Sequence, residues 1–306
     1  MENSTEKSID KSKEKSKVYL VSSNDRAEGS RLCLNMLEMP DYNGKTVLIK
    51  PNFNTADPAP GSTHTDTLDT LLSAVRSANP SRIIIGERSG PAVTAEVFEK
   101  KGIGALCEKY NAEFLNFETM PQEDWVEYRR DDLHWPGGAF RYPRVFNDVD
   151  AVVTTCCLKT HAFGGVFSNS LKLAVGITPR GFSPLHDTDD MRKMIAEINL
   201  AYKPDFILCD AVEVFTDGGP MEGTRKRADL MLLSSDRIAL DAVGLAVLKS
   251  LDSNKAIMDT PIFEHEQMAR AVELGLGVTS PADIEIVTAD EKSAEIAAQL
   301  SKILLA

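Results

Sequence analysis

No stretch of this chain approaches the roughly 20 apolar residues of a membrane-spanning helix, so no membrane partner is expected. Cysteine is scarce: the five thiols, Cys33, Cys107, Cys156, Cys157 and Cys209, form no CxxC pair. That removes the usual frame for a structural zinc or a conventional iron–sulfur cluster. An odd thiol count without an export signal points to reduced cysteines. Basic residues are outnumbered, 34 Lys and Arg against 46 Asp and Glu, for a net charge of −12. Nucleic acid is therefore a poor partner, because phosphate backbones are bound by clustered Lys and Arg. No GxxxxGK[ST] phosphate loop occurs. The segment Met1–Lys17 is polar throughout, lacks the apolar core of a signal peptide and is expected to be a disordered tail, with the cytoplasm as the simplest location.

What is present is an ordinary globular composition, 306 residues with 42% hydrophobic and 26% charged. This suffices for one α/β domain over residues 18–306, or for two lobes sharing a cleft. Thr46–Ile49 and Arg82–Ile85 are apolar runs of the kind buried on both faces, and Ala151–Thr155 is a third. Each is followed by turn residues and a helical stretch. Repeated strand-loop-helix order predicts a mostly parallel sheet flanked by helices. Residues 118–147 break the rhythm with both tryptophans, Trp125 and Trp135, and a Pro-Gly-Gly turn. They read as an irregular or antiparallel insertion that covers the cleft or meets another subunit.

The apolar strands share one habit: each ends in a polar group, giving Lys50 and Asn52, Glu87, Lys159 and His161, Asp210, and Asp236. In a parallel sheet such ends lie along one edge, where open α/β sheets bind ligands. Gly164-Gly165 ahead of a helix carrying Lys172 matches the recipe for an anion site, combining backbone N–H groups, a helix N-terminus and a cation. Lys50, Asn52, Gly164, Gly165 and Lys172 are thus expected to bind a carboxylate or phosphate. His161 and His186 are candidates for proton transfer, with Lys159, Glu87 and Asp210 as catalytic partners. His64 is a further histidine after the first strand and loop. The same histidines with Asp187, Asp210 or Glu213 offer a mixed set for a divalent metal. Lys159 or Lys172 becomes a Schiff-base former if burial lowers its pKa, although an electrostatic clamp is the simpler role for both.

Taken in order, Ile49-Lys50-Pro51-Asn52, Gly86-Glu87, Leu158-Lys159-Thr160-His161, Ser170-Leu171-Lys172 with Gly176, and Asp210 followed by Gly219-Pro220 and Gly223 resemble a broad prokaryotic family known as domain of unknown function 362. Ser235-Asp236 and Asp241 fit the same pattern, which spans Val47 to Gly277. The resemblance implies an α/β fold and a shared cleft, with no settled activity. Relatives often carry Leu-Lys-Asn where this chain has Leu171-Lys172-Leu173, and many carry ferredoxin-like cysteines that are missing here. More remotely, the lysine, histidine and glycine arrangement is similar to that of the lactate racemase family, whose members use a nickel-pincer nucleotide attached to a lysine. The expected function is an enzyme acting on a small anionic substrate. The alternatives are a non-catalytic metabolite-binding or interaction module, and a metal, nickel-pincer or redox protein. A homo-oligomer is compatible with all three.

Overall fold

A computed structural model describes residues 14–180 and 184–306. Among them the strands are β1 (Ser16–Ser22), β2 (Thr46–Lys50), β3 (Arg82–Glu87), β4 (Ala112–Asn116), β5 (Trp125–Arg129), β6 (Ala139–Pro143), β7 (Ala151–His161), β8 (Val166–Ser168), β9 (Phe206–Gly218), β10 (Gly223–Ser234) and β11 (Ile284–Val287). The helices are α1 (Arg26–Met36), α2 (Thr65–Ser77), α3 (Thr94–Lys100), α4 (Ile103–Tyr110), α5 (Val145–Asp148), α6 (Ser170–Leu173), α7 (Met191–Ile198), α8 (Arg237–Ser250), α9 (Lys255–Met258), α10 (Glu266–Glu273) and α11 (Glu291–Leu305). None of these helices is long and apolar enough to cross a membrane.

All strands but β5 and β6 join one sheet, ordered β11-β1-β10-β9-β7-β2-β3-β4, with β8 paired to β7. Strands β9, β7, β2, β3 and β4 run parallel, and β10 returns antiparallel between β9 and β1. The expected α/β architecture with a mostly parallel sheet is the observed one.

The apolar runs are continuous because both faces of the sheet are covered. Alternate side chains point to opposite faces, so Val47, Ile49, Ile83, Ile85 and Val153 pack with α1 to α4. On the opposite face Leu48, Ile84 and Val152 meet Trp125, Trp135 and Phe140 of the 118–147 stretch together with α7. Farther along that face, Leu20, Ile207 and Leu232 pack under α8. The tryptophans are thus spent on the sheet: β5 and β6 form an antiparallel hairpin whose rings cover the β2, β3 and β7 portion.

Three boundaries depart from the sequence expectations. Residues 1–13 of the proposed tail lie outside the described part, but Ser16 and Lys17 belong to β1, held by pairing with β11 and by a bond from Ser16 Oγ to Asp236. Strand β9 does not stop near Asp210; it runs on to Gly218 because the following residues pair with β10 as a long hairpin. The helix carrying Lys172 is a single turn, α6, preceded by the short strand β8.

Glu197 of α7 anchors the hairpin region. Fully buried, it accepts from the backbone N–H of His134 at 3.0 Å, pairs with His134 Nδ1 at 2.6 Å and accepts from Arg270 Nε at 3.0 Å. Removing a buried carboxylate strands its partners. Replacement Glu197→Ala is expected to cost about 3 kcal/mol in urea unfolding, with faster amide exchange in β5 and β6. A loss below about 1 kcal/mol with unchanged exchange would show that the network is not a fastening.

Candidate functional site

The carboxyl ends of β2, β3 and β7 are neighbours, since β2 lies between the other two. They deliver Lys50, Glu87, Lys159 and His161 to one cavity of about 80 Å³, closed on a further side by Lys172 of α6. Asn52, Asn54 and Arg88 also line it. Four cationic side chains therefore face a single carboxylate, inside a protein whose net charge is −12.

That carboxylate is engaged. Lys50 Nζ donates to Glu87 Oε1 at 2.8 Å and to the Pro51 carbonyl at 2.9 Å, with both side chains buried. Glu87 Oε2 accepts from the Phe53 amide and Oε1 from the Arg88 amide, each at 2.9 Å. Desolvation raises the Glu87 carboxyl and lowers the Lys50 ammonium, while their mutual attraction opposes both shifts. Gly176 makes the pair possible: a Cβ there would stand 2.6 Å from Glu87 Oε1 and 2.8 Å from Lys50 Nζ.

The remaining cations differ in how they are held. Lys159 Nζ donates to the carbonyls of Pro60 at 2.8 Å and Gly61 at 2.5 Å. Arg88 donates to the carbonyls of Ser89 and Val175, at 2.9 and 2.6 Å, while its Nε is buried without a partner. Lys172 has no hydrogen-bond or ion-pair partner among the described residues. Burial, with Lys159 and Arg88 adding repulsion, pulls its ammonium down to about 8. His161 stands beside it: a Cβ at Gly165 would lie 2.6 Å from Lys172 Cε and 3.0 Å from His161 Nδ1. Burial foremost, then the charges of Lys172 and Lys159, pushes the imidazole down to about 2. Its Nδ1 has no partner, and neither has the buried amide nitrogen of Asn54.

A wider outer cavity of about 510 Å³ shares Asn54, Arg88, His161 and Lys172 with the inner one. His186 reaches this outer space, where Phe163, Leu185 and Met221 supply apolar surface. Of the residues expected at the site, Lys50, Asn52, Glu87, Lys159, His161 and Lys172 converge on the inner cavity and His186 borders the outer one.

Asp210 does not join them. Because β9 continues past it, its carboxylate lies within the sheet and accepts from Arg26 Nε at 2.7 Å, with Glu213 taking another nitrogen of the same guanidinium at 3.1 Å. Asp236 is at the far edge, since β10 runs antiparallel; it caps α8 by accepting from the Ala239 amide at 2.9 Å. His64 likewise caps α2. Gly164 and Gly165 line neither the inner nor the outer cavity. The helix N-terminus they were expected to present is already capped, because Asp241 accepts from the Ser170 amide at 2.8 Å and the Leu171 amide at 3.2 Å. Gly165 instead gives the space in which Lys172 and His161 approach.

Arg88 and Asn54 line the cavity without being among the residues expected from the sequence. Arg88 carried the needed signal, since it follows Glu87 at the end of an apolar strand; Asn54 sits in a proline-rich loop and carried none. Among the described residues no group of three His, Cys, Asp or Glu is placed to hold a metal ion. A bare divalent ion held by three such side chains therefore has no ligand set among the described residues. Cys156 and Cys157 are buried, and burial pushes the Cys157 thiol up to about 11.

Fold and site together define an α/β protein with a cation-rich cavity at the carboxyl edge of three adjacent parallel strands. The chain belongs to the family described as Domain of unknown function (DUF362), whose model matches residues 47–246. That span holds every cavity residue discussed above. The curated proteins contain no match to this chain. Among solved structures, a protein from Thermotoga maritima is similar at 16% identity and a TM-score of 0.48, covering 74% of this chain and 56% of its own. This chain therefore spans little more than half of that protein. The lactate racemase apoprotein from Thermoanaerobacterium thermosaccharolyticum is similar at 13% identity and a TM-score of 0.47, covering 94% of this chain and 86% of its own. Likeness at that level transfers no activity.

The geometry makes two checks available. Glu87→Gln leaves Lys50 buried without its counter-charge and is expected to lower unfolding free energy by about 3–5 kcal/mol, read from urea denaturation; near-neutral stability would show that the pair is dispensable. The His161 ring is expected to stay neutral from pH 8 to pH 5 in NMR titration. Since the unfolded chain takes up that proton near 6.5 and the folded chain only near 2, stability should fall as pH drops below 6.5. A midpoint at 6 to 7 for the folded ring would contradict the burial described.

Proposed function

We propose that the protein is an enzyme acting on a small organic anion, a carboxylate or phosphate, seated in the inner cavity. The observation that carries this reading is the mismatch of charge and donors: four cations against one engaged carboxylate, with the unpaired Lys172 ammonium, Arg88 Nε and the Asn54 amide nitrogen left over. Buried donors without acceptors are costly, and a ligand rich in acceptor oxygens relieves that cost at Arg88 and Asn54 and gives the half-buried Lys172 a counter-charge. An anion also offsets the repulsion that lowers Lys172 and His161, so binding raises both pKa values. His161 then becomes available for proton transfer only when the substrate is present, with His186 bordering the outer space.

A binding module without turnover is the second reading. It is favoured by His161 itself, because an imidazole held near 2 is no base at neutral pH. Unchanged ligand behaviour in His161→Ala would support that reading.

Phosphate and short carboxylates are expected to raise the melting temperature and to show saturable binding by calorimetry. Affinity should decline as pH rises through about 8, where Lys172 loses its proton. Lys172→Met is expected to weaken binding by roughly 10- to 100-fold, the worth of one charge-assisted hydrogen bond. Without ligand the same variant should be more stable than the wild type at pH 7, because a lysine whose pKa is depressed by folding opposes folding below that pKa. Absence of any anion-dependent shift would sink the reading.

A further inference from the structure

The three lysines of the cavity are not chemically equivalent. Lys50 Nζ is tied to Glu87 and the Pro51 carbonyl, and Lys159 Nζ to two carbonyls of the Pro60–Gly61 turn. Each of those ammonium groups spends two of its three N–H donors on the protein, which favours the charged form and leaves one donor for a ligand. Lys172 spends none among the described residues. It also borders both the inner cavity and the outer one. Gly165, by lacking a Cβ, leaves room for Lys172 Cε and the His161 ring to lie side by side.

This arrangement has a direction. The inner space holds Lys50 and Lys159, which do not reach the outer one, and the outer space shares Arg88 and Lys172 with it and adds the apolar side chains of Phe163, Leu185 and Met221. A ligand with its carboxylate against Lys50, Lys159 and Arg88 and its carbon chain toward the outer space passes Lys172, which lines both spaces, next to its carboxylate end. The group there which an amine attacks is a carbonyl.

We infer that Lys172 forms an imine with the carbonyl carbon of a 2-oxo carboxylate, an inference that rests on the anion reading above and names its substrate class. The neutral amine adds its lone pair to the carbonyl carbon, the carbonyl π pair moves to oxygen, and proton transfer from nitrogen to oxygen gives a carbinolamine. Loss of the oxygen with the two former amine hydrogens as water leaves the C=N bond. No oxidant, reductant or metal enters the balance. The ammonium must first give up a proton, and burial beside other cations makes this easier: in the ligand-free protein, with a pKa of about 8, roughly a tenth of the amine is neutral at pH 7, and a bound carboxylate lowers that fraction by raising the pKa. An exposed lysine, near 10.4, has a neutral fraction about two hundredfold smaller than that of the ligand-free site.

The test is reductive trapping. The full chain is incubated at neutral pH with pyruvate, or with a branched 2-oxo acid, and sodium cyanoborohydride, and adducts are mapped by peptide mass spectrometry. Labelling at Lys172 is expected to exceed that at any surface lysine by at least roughly tenfold, since the ratio of neutral fractions, about two hundredfold without ligand, falls as the bound carboxylate raises the Lys172 pKa. It should be suppressed by propionate, which offers the carboxylate without the carbonyl. Lys172→Met, checked for folding by its melting temperature, should lose the adduct. Labelling spread evenly over surface lysines, or an adduct that persists in Lys172→Met, overturns the inference. If propionate and phosphate still stabilise the wild type while Lys172 is not trapped, the imine fails and the anion reading stands. If neither stabilisation nor trapping occurs, both fail.

Discussion

The buried contact between Lys50 and Glu87 is the constraint on which the site depends. It joins the ends of β2 and β3, and its carboxylate takes the amides of Phe53 and Arg88, so the loops after both strands start from fixed points. Two ions can be buried there because Glu87 accepts from two amides besides Lys50, because Lys50 also donates to the Pro51 carbonyl, and because Gly176 brings the chain after α6 within contact of both. Through that contact the position of Lys172, only four residues earlier, is set relative to the strand ends. The Arg88 side chain adds a second tie to the same segment through the Val175 carbonyl.

The second organising feature is where the carboxylates go. The chain has 46 acidic residues, yet only Glu87 among the cavity-lining side chains is an acid. Others with buried carboxylates serve the frame: Asp210 holds Arg26, Asp241 closes the N-terminus of α6, and Glu197 fastens the β5–β6 hairpin region to α7 and α10. Because they are engaged elsewhere, the cavity stays positive in an acidic protein. Burial foremost, with repulsion among unneutralised cations in a low-dielectric space added to it, lowers Lys172 and His161. The same repulsion is the stored preference for an anion.

Much of the frame was legible in the residues. Continuous apolar runs such as Val47–Ile49 and Ile83–Ile85 need cover on both sides, which only an interior parallel sheet with helices on its faces supplies. The polar ends of β2, β3 and β7 followed as candidates, and they meet. Asp210 and Asp236 were equally good candidates by the same rule and do not meet them. One lies inside a strand that hairpin pairing extends beyond its apparent end, and the other ends a strand running the opposite way. Local pattern holds no information on either point, since direction and length of a strand depend on its partner.

The sequence by itself determined that the fold is α/β, that the strands β2, β3 and β7 are interior, and that lysines and a histidine stand at their ends. Those facts follow from hydrophobic periodicity and chain order, which act over a few residues. Tertiary structure alone decided the chemical state of each group. Lys50, Lys159 and Lys172 look alike in the chain, and they differ because one meets a carboxylate, one meets two carbonyls and one meets no partner among the described residues. Charge and hydrogen bonding act through space, so the state of an ionisable group is set by neighbours that are distant along the chain.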